Sequence, residues 1–268
     1  MNQNVSALTA TIPGSGGQAA LAGVRQRVSA AEWEARVELA ALYRLVAHYR
    51  WTDTIYNHIS LKTPGEDTYL INPFGYLYEE ITASCLVKVN LQGDVLDDPT
   101  GLGINKAGFV IHGAIHAARK DVHCVLHTHT RAGAGVSAQE DGLLPLSQHA
   151  MSFIGRIGYH DFEGFAVHLP EQERLVRDLG PHSAMILRNH GLIVAGDSPA
   201  EAFYLIHTLE RACEIQVAAM SGNAKVRHIS SEALTASRAE LDSYEGVLSR
   251  DWPAMLRIVE RIGPDYKN

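Results

Sequence analysis

The sequence predicts a layered α/β domain. Segments with helical apolar spacing and segments with strand character alternate along one chain of 268 residues. With 46% hydrophobic content, the chain can bury a full core as one large domain or as one domain with a tail. The formal charge of −7 and a pI near 6.0 argue against nucleic acid or an anionic membrane surface as the main partner. Three widely spaced cysteines, Cys85, Cys124 and Cys213, lie in apolar surroundings, which suits reduced thiols in a cytoplasm. No stretch approaches a membrane span, so a soluble, cytoplasmic protein is expected.

Residues 1–27 read as a flexible tail, because Ile12-Pro-Gly-Ser-Gly-Gly17 has no periodicity. Ser29 and Glu32 form a capping box ahead of Trp33, Val37, Leu42, Leu45 and Val46 at helical spacing. Strands follow at Ile59–Lys62, Tyr69–Asn72 and Leu86–Asn90, with Gln92-Gly93 as a turn. Ala107–Ala118 reads as a helix, and an apolar strand over Val122–Leu126 comes next. Ala184–Leu187 is strand-like, stops at an Asn-His-Gly turn and resumes. A second capping box, Ser198-Pro199-Ala-Glu201, opens a long helix through Leu205, Leu209 and Val217. The boundaries expected are a main domain over 28–245 and a C-terminal helical tail over 246–268. The amphipathic Asp251–Glu260 pattern docks that tail on the body or on a neighbouring subunit, while Tyr266 is expected in a mobile terminus.

The most informative local feature is His127-Thr-His129 at the end of the Val122–Leu126 run. On a strand these side chains leave the same face about 7 Å apart, within reach of one ion. His190 sits where the 184–194 hairpin presents a side chain at the sheet rim. Three imidazoles with an open position fit a catalytic metal site, although a single strand histidine is ordinarily a hydrogen-bonded core or rim residue.

With these segments placed, the chain resembles the class II aldolase and adducin head-domain family. The resemblance runs from about residue 30 to 220 through Tyr56-Asn57-His58-Ile59-Ser60, Ile71-Asn-Pro-Phe-Gly75, Ile111-His112, Arg119-Lys-Asp-Val, His127-Thr-His129 and Asn189-His190-Gly191. It implies a three-layer α/β/α sandwich around a central mixed, mostly antiparallel sheet, assembled as tetramers. It also implies that His127, His129 and His190 hold a divalent metal, zinc foremost, with Mn2+, Co2+ or Fe2+ compatible with the same donors. The cation would lower the energy of negative charge developing on oxygen as a carbon–carbon bond breaks, through a metal-stabilised enolate.

One departure outweighs the matches. The sugar-phosphate aldolases of the family carry a glutamate nineteen residues before the first histidine, as ligand and proton shuttle, and this chain has Gly108 there. Their two phosphate-binding serines correspond to Lys106 and Ala107, so a phosphorylated ketose is not expected. His112 and His116 lie one helical turn apart, and either could face the metal or substrate, or simply hydrogen-bond between helix and sheet. Glu163, with Tyr159 and His160 in the Gly158–Gly164 loop, is a second candidate acid or base. Lys106 is a candidate for holding a substrate carboxylate, and Asn57 and Gly75 match family positions lining the anionic end of the substrate.

The function expected is therefore a metal-dependent carbon–carbon lyase, aldolase or decarboxylase, acting on a small non-phosphorylated oxo- or hydroxy-acid. The alternative is a catalytically silent, adducin-like oligomeric binding module, although no lysine-rich C-terminal run of the adducin kind is present.

Overall fold

In the computed structural model the described residues are 21, 23–165, 168–222, 225–243 and 247–268. Its centre is an eight-stranded sheet: β1 His58–Lys62, β2 Thr68–Ile71, β3 Val87–Asn90, β4 Val95–Asp97, β5 Cys124–Thr128, β6 Gly158–His160, β7 Ala184–Leu187 and β8 Gly191–Gly196. The order across it is β4-β3-β2-β1-β5-β8-β7-β6, and every pairing is antiparallel except β6 with β7.

Helices cover both faces, giving three layers. α1 (Ala30–His48) begins at Ser29, whose side chain accepts from the Glu32 amide, as the capping box predicts. α2 is a continuous helical segment over 106–118, with a π turn at Phe109–Gly113 between α turns. α3 is Arg131–Ser137 and α4 is Glu171–Leu179. α5 (Pro199–Met220) starts at its Ser198 cap with proline in the first turn. α6 (Ser231–Ser243) and α7 (Val247–Ile262) follow.

The period of two along β5 sorts its side chains between the faces. Cys124 and Leu126 join the larger core with α1 and α5, whereas Val125 packs with Ile111, Ile115 and Leu175 from α2 and α4. His127 therefore emerges on the α2 side and Thr128 on the α5 side.

The ends of the chain depart from expectation. Of the tail predicted over 1–27, residues 1–20 and 22 lie outside the described residues. Val24–Arg27 forms a single turn with Val24 buried beside Trp33 and Ala83. Tyr266 is not mobile: it is 2% exposed, its carbonyl accepts from the Ala83 amide and its hydroxyl donates to Glu260. The apolar stripe of α7 docks the C-terminus onto the larger core, where Val259 is fully buried.

All three cysteines are buried and unpaired. Among the described residues no helix is long and apolar enough to cross a membrane.

Candidate metal centre and active site

Two chain segments bring the histidines together. His127 is the penultimate residue of β5, His129 follows the strand on the same face, and His190 comes from the β7–β8 turn, where Asn189 takes a left-handed conformation (φ 56°). The Nε2 atoms lie 2.7 Å (127–129), 2.9 Å (129–190) and 3.2 Å (127–190) apart. Gly191 permits this approach, since a Cβ there would stand 2.2 Å from the Thr128 carbonyl oxygen and 3.3 Å from the His129 ring.

The donor set fits a divalent cation. The Nδ1–H of His127 donates to the Leu192 carbonyl at 2.8 Å, and that of His129 to the Asp53 carboxylate at 3.1 Å. Those bonds fix both tautomers, so the two Nε2 atoms present lone pairs to each other. Two acceptors 2.7 Å apart repel unless a positive charge lies between them. Burial, reinforced by neighbouring imidazoles, holds His127 well below the ordinary histidine range and pushes His190 down to about 4, keeping both as neutral ligands.

The strand end carrying the ligands is clamped from behind. Glu210 of α5 is fully buried and accepts from the hydroxyls of Thr128 (2.6 Å) and Thr130 (2.5 Å), the residues that flank His129. Burial pushes its carboxyl up to about 7, against the pull of those two hydroxyls.

A cavity of about 490 Å³ opens beside the triad. Ala107 and Ile111 line it from α2, and Tyr56, Phe74, Phe162 and Phe165 surround its mouth. Asp53 is its one carboxylate among the described residues, and no lysine or arginine lines it.

Sequence reasoning missed His58, which lines this cavity and stands opposite His127 in the β1–β5 register. Its ring lies 5.2 Å from that of His127, centroid to centroid. Its Nδ1 is 2.8 Å from Nε2 of His112; Nδ1 of His112 is 2.6 Å from Ser60 Oγ, which is 2.7 Å from Nε2 of His116. The period-two pair His58 and Ser60 was a visible signal, but only the β1–β5 pairing gives it meaning. Asp53, in a loop before β1, carried no such signal.

Several expected site residues stand elsewhere. His112 and His116, 0% and 2% exposed, face the histidine triad neither directly nor across the cavity. α2 lies flat on the sheet, so its inward histidines meet Ser60 and the back of His58. Burial holds His112 well below the usual range and brings His116 down to about 3. Glu163 is engaged by Arg174 of α4 through both carboxylate oxygens, which lowers its pKa, and it lines a small neighbouring cleft instead. His160 is buried between Asp178 and Glu171. Lys106 is solvent-exposed in the first turn of α2 and does not line the cavity. Asn57 is buried and acts on the loop, its Oδ1 accepting from the Asp53 amide at 2.5 Å. Gly75, at φ 118°, turns the chain directly after Phe74.

The family model described as the class II aldolase and adducin N-terminal domain matches residues 37–217. The chain belongs to that family. A Pseudomonas aeruginosa protein named as an aldolase class 2 protein is 48% identical over 254 residues, covering 92% of this chain and 96% of its own length. Rat alpha-adducin is 54% identical over 185 residues, 68% of this chain and 25% of the adducin. The crystal structure of an aldolase II superfamily protein from Pseudomonas syringae superposes with a TM-score of 0.87 at 56% identity, covering 91% of this chain and 99% of that one. An L-fuculose 1-phosphate aldolase from Glaciozyma antarctica shares the class II aldolase fold at 24% identity, with a TM-score of 0.78 over 88% of this chain and 93% of its own.

Proposed function

We propose that this class II aldolase family member is a zinc-dependent carbon–carbon lyase acting on an oxo- or hydroxy-acid without a phosphate group, by aldol cleavage or decarboxylation. The observation that carries the reading is the convergence of three Nε2 atoms at the wall of a cavity that has no lysine or arginine. A divalent cation bound there supplies Lewis-acid polarisation of a substrate oxygen and stabilises negative charge developing on it.

The protein's own groups supply the rest. The Leu192 carbonyl holds His127, and Asp53 holds His129, in the ligating tautomer. Glu210, through Thr128 and Thr130, fixes the strand end from the opposite face. His58 offers the cavity a neutral imidazole, with Nδ1 tied back to His112 and Nε2 left to hydrogen-bond the reacting end of the substrate. Exclusion of phosphate follows from Ala107 and the outward Lys106 at the two serine positions, and from a cavity that no lysine or arginine lines. The cytoplasmic setting that the reduced cysteines suit, and the homotetramer implied by the family, belong to this reading too.

The test is a panel of 2-oxo- and hydroxy-acids, with L-fuculose 1-phosphate as comparator, offered to the zinc-loaded protein while carbon dioxide and aldehyde release are followed. Release from at least one acid, abolished by chelator and absent with the sugar phosphate, is the expected outcome. No release from any acid by fully loaded protein would favour the second reading, a silent oligomeric binding module, for which the similarity to alpha-adducin speaks.

A further inference from the structure

The cavity beside the triad has an unusual rim. Among the described residues, four aromatic side chains are more than a third exposed: Tyr56 at 54%, Phe74 at 36%, Phe162 at 57% and Phe165 at 88%. All four line this one cavity, and none stands anywhere else on the described surface. Tyr56 and Phe74 form one wall, their ring centroids 6.5 Å apart at 55°. Isolated exposed apolar side chains are ordinary, but a cluster around a concave site marks a surface that a ligand covers.

The chemistry of the cavity divides in two. The polar end holds the imidazoles and Asp53, whose carboxylate is already engaged by His129. Away from it the walls are rings and the aliphatic side chains of Ala107 and Ile111, interrupted by Asn105, whose Oδ1 already accepts from the Ala107 amide. A polyol or phosphate would find few partners there. A flat apolar group would find faces and edges to stack on. The volume of about 490 Å³ exceeds the need of a three- or four-carbon acid alone.

Building on the lyase reading, we propose that the substrate is an aryl-bearing oxo- or hydroxy-acid, its acid head at the triad and its ring held by Tyr56, Phe74 and Phe162. These aromatic residues set substrate class; they take no part in bond breaking.

The experiment compares two chelating probes on the full-length, cobalt-loaded protein: acetohydroxamate and benzohydroxamate, which present the same two oxygens and differ by methyl against phenyl. Binding is read from the visible cobalt spectrum and by calorimetry, corrected for each probe's affinity for the free ion. The expected result is a preference for benzohydroxamate of roughly 10- to 100-fold, the scale for burying one phenyl group. A Phe74→Ala/Phe162→Ala variant that keeps its cobalt should bring the two affinities together. Equal affinities in the parent, or a preference that survives the variant, would overturn the aryl proposal and leave the metal reading standing. Equal affinities together with a changed sedimentation coefficient in the variant would assign the rings to a contact between copies, which also overturns it. Failure of both probes to perturb a bound cobalt ion would remove the substrate site at the triad, and the lyase reading with it.

Discussion

The imidazole of His58 crowds the space into which a side chain at position 108 would project: a Cβ on Gly108 would lie 3.2 Å from both Cγ and Cδ2 of that ring. His58 is held against giving way, because His112 holds its Nδ1 and the His127 ring lies alongside. The glycine and the histidine therefore form a matched pair, and any side chain at 108 would have to displace the ring by a few tenths of an ångström.

Gly108→Ala is accordingly expected to destabilise the fold by about 1 to 3 kcal/mol, despite alanine's higher helix propensity. In the background of His58→Ala the same substitution should cost markedly less, a non-additivity that denaturant unfolding of the four proteins would reveal. Additive effects would show that the two positions do not compete for space.

Asp53→Asn should leave the fold intact and weaken metal binding roughly 10- to 100-fold, the usual effect of removing a carboxylate behind a ligating histidine. Competition with a chromophoric chelator measures this directly.

Two buried groups give stability opposite dependences on pH. Glu210 has a folded pKa of about 7 against an unfolded value of 4.5, so its contribution is complete below 4.5 and disappears as pH rises through about 7. His116, lowered from 6.5 to about 3, contributes above 6.5 and loses that contribution as pH falls. Glu210→Gln should remove the first dependence alone. Between pH 5 and 8, chelator-treated parent protein should lose about 2 to 3 kcal/mol relative to that variant, as read by urea unfolding at each pH.

Local chemistry made much of this architecture legible. The caps at Ser29 and Ser198 act within one turn, the His127–His129 spacing needs only a strand, and Asn189 announces its turn. What stayed hidden depends on partners distant in sequence. His112 and His116 do share a helix face, yet what they face is Ser60 and His58, more than fifty residues away. Glu163 looked like a free loop carboxylate until α4 placed Arg174 against it. Asp53 and Glu210 carried no signal, since each acquires its role only in the fold, Asp53 from the loop before β1 against His129 and Glu210 from α5 against Thr128 and Thr130.

The central claim is that His127, His129 and His190 hold one divalent ion. Its most direct test is metal content by mass spectrometry on tag-free protein, beside a His127→Ala/His190→Ala variant shown to be folded. The account requires about one transition metal ion per chain in the parent and about none in the variant. A folded parent that carries no metal and takes up neither zinc nor manganese would contradict it.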